Sequence, residues 1–155
     1  MKNARPREEV ESTINKIVER LTTNNVWFEV CGSYRRGKQQ IGDIDIVIGS
    51  SLSDFEKYIA DLEPILLSGK DKKRSYEIDD IQADIYYANP HERGAMVMFL
   101  TGSKEFNIHM RRIAKSKGLK LSQYGIFRGE IRLDTPTEES IFHCLSMSPV
   151  MPNDR

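Results

Sequence analysis

The heptapeptide GDIDIVI, Gly42 to Ile48, constrains this chain more than any other stretch. Ile44, Ile46 and Ile48 are β-branched and alternate with Asp43, Asp45 and Val47, the pattern of a strand with one buried face. Such a strand, taken to include Asp43, drives the isoleucines into a core and turns Asp43 and Asp45 to the same side. Two carboxylates on one face repel, and each raises the other's pKa unless a cation lies between them. The segment asks for a positive partner.

Upstream, Val26 to Cys31 reads as a strand and GSYRRG as a turn. A Gly32-Ser33 turn lets backbone N–H groups and a hydroxyl approach a phosphate, and Arg35 or Arg36 can add charge-assisted bonds. Alone, the same turn is more often a solvated loop with arginines in water. Followed by about ten residues and then D-x-D on a strand, it matches the way nucleotidyltransferases set a triphosphate beside two divalent metals. A third carboxylate, Asp84, interrupts the strand-like IQADIYY. Carboxylate and phosphate oxygens suit Mg²⁺. Zinc is disfavoured, because neither Cys31 and Cys144 nor His91, His109 and His143 show a zinc spacing.

The rest of the chain supplies a frame. Pro6, Glu8 and Glu9 open a helix whose apolar stripe is Val10, Ile14, Ile17, Val18 and Leu21. Ser51 to Leu62 predicts a helix with Phe55, Ile59 and Leu62 on one side, and LLSGKDKKRSYEI a hairpin with a basic tip. AMVMFLTGSKEFNIHMRRIAKSKG predicts two helical pieces broken near Thr101 and Gly102, then come the short strands of LKLSQYGIF and EIRL and a last helix, TEESIFHCL. No repeat, low-complexity tract or linker appears, so any division falls at the loop ANPHERG. At 155 residues and 39% hydrophobic, the chain is one domain or two small lobes.

Lys plus Arg and Asp plus Glu are 23 each, so a polyanion partner must be recognised locally. Lys104, Arg111, Arg112, Lys115, Lys117 and Lys120 stand against one acid, Glu105, and Lys70, Lys72, Lys73 and Arg74 crowd the hairpin tip. No apolar run approaches a membrane span and MKNARPREEVES has no secretory core, which points to an intracellular protein with no membrane partner. The two cysteines read as buried thiols, the histidines as surface or packing residues, and Trp27 and Phe28 as core.

PREE, VCGSYRRG, GDIDIVI, ADIYY, FLTGSKEFNIHMRR, KGLKLSQYGIF and TEESIFHCL occur in an order that resembles the catalytic core of the family X DNA polymerases, the group containing DNA polymerase beta. D-x-D alone is weak, and the ordered set with TGS-xx-FN-xxx-R is specific. The resemblance implies an α+β fold: a nucleotidyltransferase palm at residues 1–89, a mixed sheet flanked by helices, then a small α/β thumb or nascent-base-pair lobe at 90–155. It omits the lyase and helix-hairpin-helix domains of larger members and is similar to the short viral ones.

That resemblance implies a monomeric, template-directed DNA polymerase adding deoxynucleoside triphosphates to a primer 3′-hydroxyl on primer-template or gapped DNA, in short-gap filling during DNA repair. It implies two Mg²⁺ ions, with Mn²⁺ as substitute, held by Asp43, Asp45 and Asp84. Gly32, Ser33, Arg36 and Gly42 match the positions around the β- and γ-phosphates. Phe99, Thr101 and Gly102 match those against the sugar, Asn107 the minor-groove edge of the incoming base, and Arg111 the template. Arg112, Lys115, Lys117, Lys120, Lys72 and Lys73 would meet DNA phosphates, and Arg35 would be structural. Two departures bear on sugar selection and rate: Leu100 stands where a second aromatic is common, and Gln82 where a basic residue often contacts the catalytic carboxylate. The alternatives are a template-independent or RNA-directed nucleotidyltransferase of the same superfold, and a catalytically dead DNA-binding scaffold.

Overall fold

A computed structural model describes residues 4–155. The chain divides into two compact units, Met1–Tyr87 and Ala88–Arg155.

In the first unit a short strand, β1 (Arg5–Pro6), leads into α1 (Arg7–Thr23), with Pro6 at its N-cap and Glu8 and Glu9 in its first turn, where the helix dipole favours acids. Val10, Ile14, Ile17 and Leu21 are buried, and Val18 packs half-buried beside them. There follow β2 (Phe28–Val30), the single helical turn α2 (Gly32–Arg35), β3 (Gln40–Ile41), β4 (Ile44–Ile48) and α3 (Leu52–Tyr58). A 3-10 turn, Ala60–Leu62, then leads to β5 (Ile65–Gly69), β6 (Lys73–Ile78) and β7 (Ile81–Tyr87).

β1 pairs with β3, and the other five strands form one sheet in the order β2-β4-β7-β6-β5. Only β4 and β7 run parallel, so the sheet is mixed. Ile44, Ile46 and Ile48 of β4, Ala83 and Ile85 of β7, and Tyr76 and Ile78 of β6 join one core with the stripe of α1 and with Phe55 and Ile59. Each fully buried isoleucine contributes about 1.5–3 kcal/mol, and side-chain alternation sends every residue between them to the opposite face. The fold is α+β, as the family resemblance implies.

Local details depart from the sequence reading. Asp43 precedes β4 and is not part of it. GSYR is a helical turn, with the Arg35 and Arg36 amides donating to the Cys31 and Gly32 carbonyls, both at 3.3 Å. β2 begins only at Phe28; just ahead of it the Trp27 carbonyl accepts the Gly49 amide at 2.8 Å. Trp27 is half-buried rather than core, whereas Phe28, also half-buried, packs against the core. Cys31 is buried as expected and Cys144 only half-buried; neither is in a disulfide.

The second unit contains α4 (Arg93–Thr101), α5 (Lys104–Ser116), β8 (Lys120–Ser122), β9 (Gly125–Arg128), β10 (Ile131–Arg132) and α6 (Glu138–Cys144). The strands form an antiparallel sheet, β10-β9-β8. Phe106, Met110 and Ala114, four residues apart on α5, pack with Met98, Leu121, Ile126, Ile141 and Phe142. Ser103 caps α5 by accepting the Phe106 amide at 3.2 Å, and Thr137 and Ser140 form a capping box on α6. At Gly94 a Cβ would lie 2.6 Å from the carbonyl carbon of Thr137, so only glycine lets α4 cross there. Among the described residues no helix is long and apolar enough to cross a membrane.

The Arg155 side chain, 2% exposed, bonds both oxygens of Glu138 at 2.5 and 3.3 Å and lies over the rings of Phe106 and Phe142, 5.3 and 5.4 Å from their centroids. Truncating one partner of such a pair strands the other as a buried charge, which costs about 3–5 kcal/mol, whereas replacing both by apolar groups is far milder. We therefore expect Arg155→Ala to speed hydrogen exchange in α4 and α6 and Arg155→Met with Glu138→Leu to restore most protection. Unchanged exchange in Arg155→Ala would remove the pair from the stability of this unit. Exchange is the right readout because the one tryptophan, Trp27, reports on the first unit.

Candidate active site

The parallel register of β4 and β7 sets Asp45 directly opposite Asp84, and the antiparallel register of β6 sets Ser75 on the far side of Asp84. These three form a row across the face opposite the isoleucine core. One pleat along the same face, Lys73 stands opposite Tyr86.

Asp84 is 8% exposed, and its Oδ1 accepts the Ser75 hydroxyl at 2.7 Å and the Gln82 amide at 3.0 Å. Both donors use Oδ1, so Oδ2 keeps its lone pairs for another partner. Gln82 thus fills the place of the expected basic residue with a neutral donor. Burial is the main reason the Asp45 carboxyl is raised from 3.8 to about 7; Asp84 and Asp43 push it further up, and Lys73 and Arg36 oppose them. The Tyr86 phenol is raised by burial and then by the same three carboxylates, which places it among them.

Gly32 has φ +65°, and a Cβ there would lie 2.5 Å from Asp45 Oδ2. Only glycine lets the start of α2 approach the carboxylate so closely. Ser33 follows it, and Arg36 caps the turn. Gly42 and Asp43 line a cavity of about 110 Å³ with Arg5, Leu67 and Gln82. The structure therefore gathers Asp43, Asp45, Asp84, Gly32, Arg36 and Gly42 in the first unit.

Among the described residues no three carboxylate, imidazole or thiol groups stand together so as to hold a metal ion by themselves. The cluster is an open one. That fits Mg²⁺, which takes one or two carboxylates and completes its shell with water and substrate phosphates. An all-oxygen donor set carrying a partly protonated, repelled carboxylate gains most when such an ion arrives.

In the second unit, Phe99, Asn107 and Arg111 line a small cavity of about 20 Å³ with Met98, Leu121 and Ser122. The Asn107 amide donates to the Phe99 carbonyl at 2.8 Å, so here it braces the helix junction. Thr101 is fully buried, and Gly102 follows at φ +68°. Arg111, Arg112, Lys115, Lys117 and Lys120 are exposed, with Lys104.

The basic hairpin tip separates into different roles. Arg74 is tied to Glu56 at 2.7 Å, a bond shared with the Tyr76 hydroxyl at 2.9 Å. Lys72 stays at the exposed turn, but Lys73 opens β6, and its Nζ lies 5.2 Å from the Tyr86 ring centroid. Ser75 and Tyr86 escaped the sequence reading. Period-two alternation around Asp84 and within KRSYEI marks both as facing the acids once the register is known.

In the metal-free chain Asp45 keeps its proton to about pH 7, whereas an unfolded Asp releases it near 3.8. The native state then holds the extra proton, so stability falls as pH rises from about 4 to about 7 and levels off in this contribution above that. Asp45→Asn removes the slope and should stabilise the metal-free protein at pH 7.5 by on the order of 1–3 kcal/mol. Urea unfolding in EDTA, followed by Trp27 fluorescence, measures it; equal stability with an unchanged pH slope would contradict the burial of this charge.

Two family models match the chain: DNA polymerase beta palm over residues 5–98 and DNA polymerase beta thumb over residues 96–155. DNA polymerase lambda of Rattus norvegicus is 27% identical over 159 residues, covering 81% of this chain and 28% of that protein. Repair DNA polymerase X of African swine fever virus (isolate Pig/Kenya/KEN-50/1950) is 26% identical over 138 residues, covering 80% and 78%. A crystal structure of Leishmania infantum polymerase beta in a ternary P/T complex superposes with a TM-score of 0.84 at 21% identity, covering 99% of this chain and 77% of that one, a likeness of fold. The chain spans about a quarter of DNA polymerase lambda and most of the viral protein. With both models covering nearly its whole length and the acidic row on its sheet, the chain belongs to the DNA polymerase beta family, family X.

Proposed function

We propose that this chain is a template-directed DNA polymerase that extends a primer 3′-hydroxyl with deoxynucleotides and fills short gaps during DNA repair. The observation that carries the reading is the row Asp45–Asp84–Ser75, with Gly32 against Asp45 and Asp43 just before β4. The repair and polymerase names of the relatives support the substrate class.

In this reading Asp43, Asp45 and Asp84 hold two Mg²⁺ ions, replaceable by Mn²⁺, which supply charge neutralisation on the triphosphate and acidify the primer hydroxyl. Ser33 and Arg36 bind the β- and γ-phosphates, with Gly32 and Gly42 admitting the backbone close to them. Ser75 and Gln82 fix Asp84 through Oδ1, so that Oδ2 takes up the proton of the attacking 3′-hydroxyl. The primer oxygen forms its bond to the α-phosphorus as the bond to the bridging oxygen breaks, and pyrophosphate leaves. Phe99, Thr101 and Gly102 shape the sugar site, Asn107 meets the base edge once released from the Phe99 carbonyl, and Arg111 meets the template. Arg112, Lys115, Lys117, Lys120 and Lys72 lie along DNA phosphates.

Primer extension on gapped, nicked and single-stranded DNA is the direct test. We expect Mg²⁺-dependent, template-matched addition on gapped DNA. Addition without a template would favour the untemplated nucleotidyltransferase, and no addition the scaffold. Asp45→Ala and Asp84→Ala should each lower the rate by on the order of 10³-fold or more, since the several kcal/mol that bound ions contribute is lost. Ser75→Ala should lower it by about 10- to 100-fold, as for other groups that orient a ligand from behind. Extension by Asp84→Ala at the parent rate would sink the assignment.

The exposed lysines give an independent measurement. Replacing Lys115, Lys117 and Lys120 by Ala should weaken binding to every DNA sequence and reduce the salt slope by roughly one unit per lost phosphate contact. An unchanged slope would place DNA elsewhere.

A further inference from the structure

Lys73 stands on the carboxylate face of the sheet. It pairs in register with Tyr86, two residues from the Ser75–Asp84 pair on both strands, so all four side chains share the face that carries Asp45. Its Nζ sits 5.2 Å from the Tyr86 ring centroid, within the range at which a ring holds a cation by its quadrupole. Among the described residues no carboxylate forms a salt bridge with it, so the ammonium is steered by the ring and by the field of the acids. Lys73 and Arg36 are the two cations whose charge acts on Asp45 against Asp84 and Asp43.

We propose that Lys73, seated on Tyr86, is a resident counter-cation of the acidic cluster that competes with divalent metal before nucleotide arrives. An ion entering beside Asp45 meets a fixed positive charge on the same face, and the repulsion weakens metal binding to the bare protein. A triphosphate brings enough negative charge to offset both, so metal and nucleotide load together. The inference rests on the metal reading of the three aspartates and adds a residue to it.

The test is Mn²⁺ titration of the nucleotide-free protein, followed by electron paramagnetic resonance. Lys73→Met keeps most of the stem and removes the charge, and it should bind Mn²⁺ about three- to tenfold more tightly than the parent, the scale of a unit charge acting on a divalent ion near the surface. Lys73→Arg keeps the charge and should bind as the parent does. Thermal unfolding in EDTA accompanies each variant: a merely structural lysine would shift the melting temperature and leave Mn²⁺ affinity unmoved, and that result overturns the proposal. Asp45→Ala separates the two layers of the argument. Loss of Mn²⁺ binding in Asp45→Ala with equal affinity in the parent and Lys73→Met overturns the lysine role alone. Mn²⁺ binding that survives Asp45→Ala, or that is missing from both the parent and Lys73→Met, overturns the metal reading and the lysine role together.

Discussion

Asp45 opposite Asp84 in a parallel ladder is an electrostatic liability that the rest of the first unit exists to hold in place. Two carboxylates in one row, one of them buried enough to hold its proton to about pH 7, push against each other and against the sheet. The opposing force comes from the other side of the same strands. Ile44, Ile46, Ile48 and Ile85 cannot reach the core unless Asp45 and Asp84 point away from it, so apolar burial sets the spacing of the acids. Ser75 and Gln82 then fix one oxygen of Asp84, and Lys73 and Arg36 temper Asp45.

Much of this is legible in the sequence because local periodicity and core burial agree. The isoleucine alternation of GDIDIVI, the apolar stripe of α1 and the turn residues around β5 and β6 each point to one structure, and the structure has it. What stays hidden is register. Nothing near Asp45 says that its neighbour is a residue 39 positions later, and a serine in KRSYEI carries no signal until β6 is laid against β7. The basic tip shows the same limit: four adjacent cations look alike as letters, yet alternation sends Lys73 to the acids and Arg74 to Glu56. Asp43 and the GSYR turn differ for a local reason: the left-handed φ at Gly32 turns the backbone out of extended geometry into α2, and Asp43 lies ahead of the first β4 pairing.

The second unit solves a different problem. Its helices and small strands enclose a core of their own around Phe106, Met110, Ile126 and Phe142, and close approach at Gly94 and the enclosed Arg155–Glu138 pair add to it. Among the described residues no salt bridge engages Arg111, Arg112 or Lys115 on the charged face of α5. Asn107 spends its amide on the Phe99 carbonyl, which ties α5 to the end of α4 across the break at Gly102. A side chain so engaged is already oriented, and exchanging one amide acceptor for another requires less ordering than recruiting a free rotamer.

Gly32 closes off a route of adaptation. A Cβ here would crowd the Asp45 oxygen until that side chain shifted, and the left-handed φ penalises any other L-residue at the same point. In the proposed nucleotide site, selection for altered preference is therefore hindered from enlarging or charging this wall of the cradle. A saturation library at position 32 should favour glycine, whereas Ser33 and Arg36, half-buried on the same turn, are not held in a left-handed backbone conformation. The innermost surface of the site is in this sense made of backbone, and its chemistry can drift only at its rim.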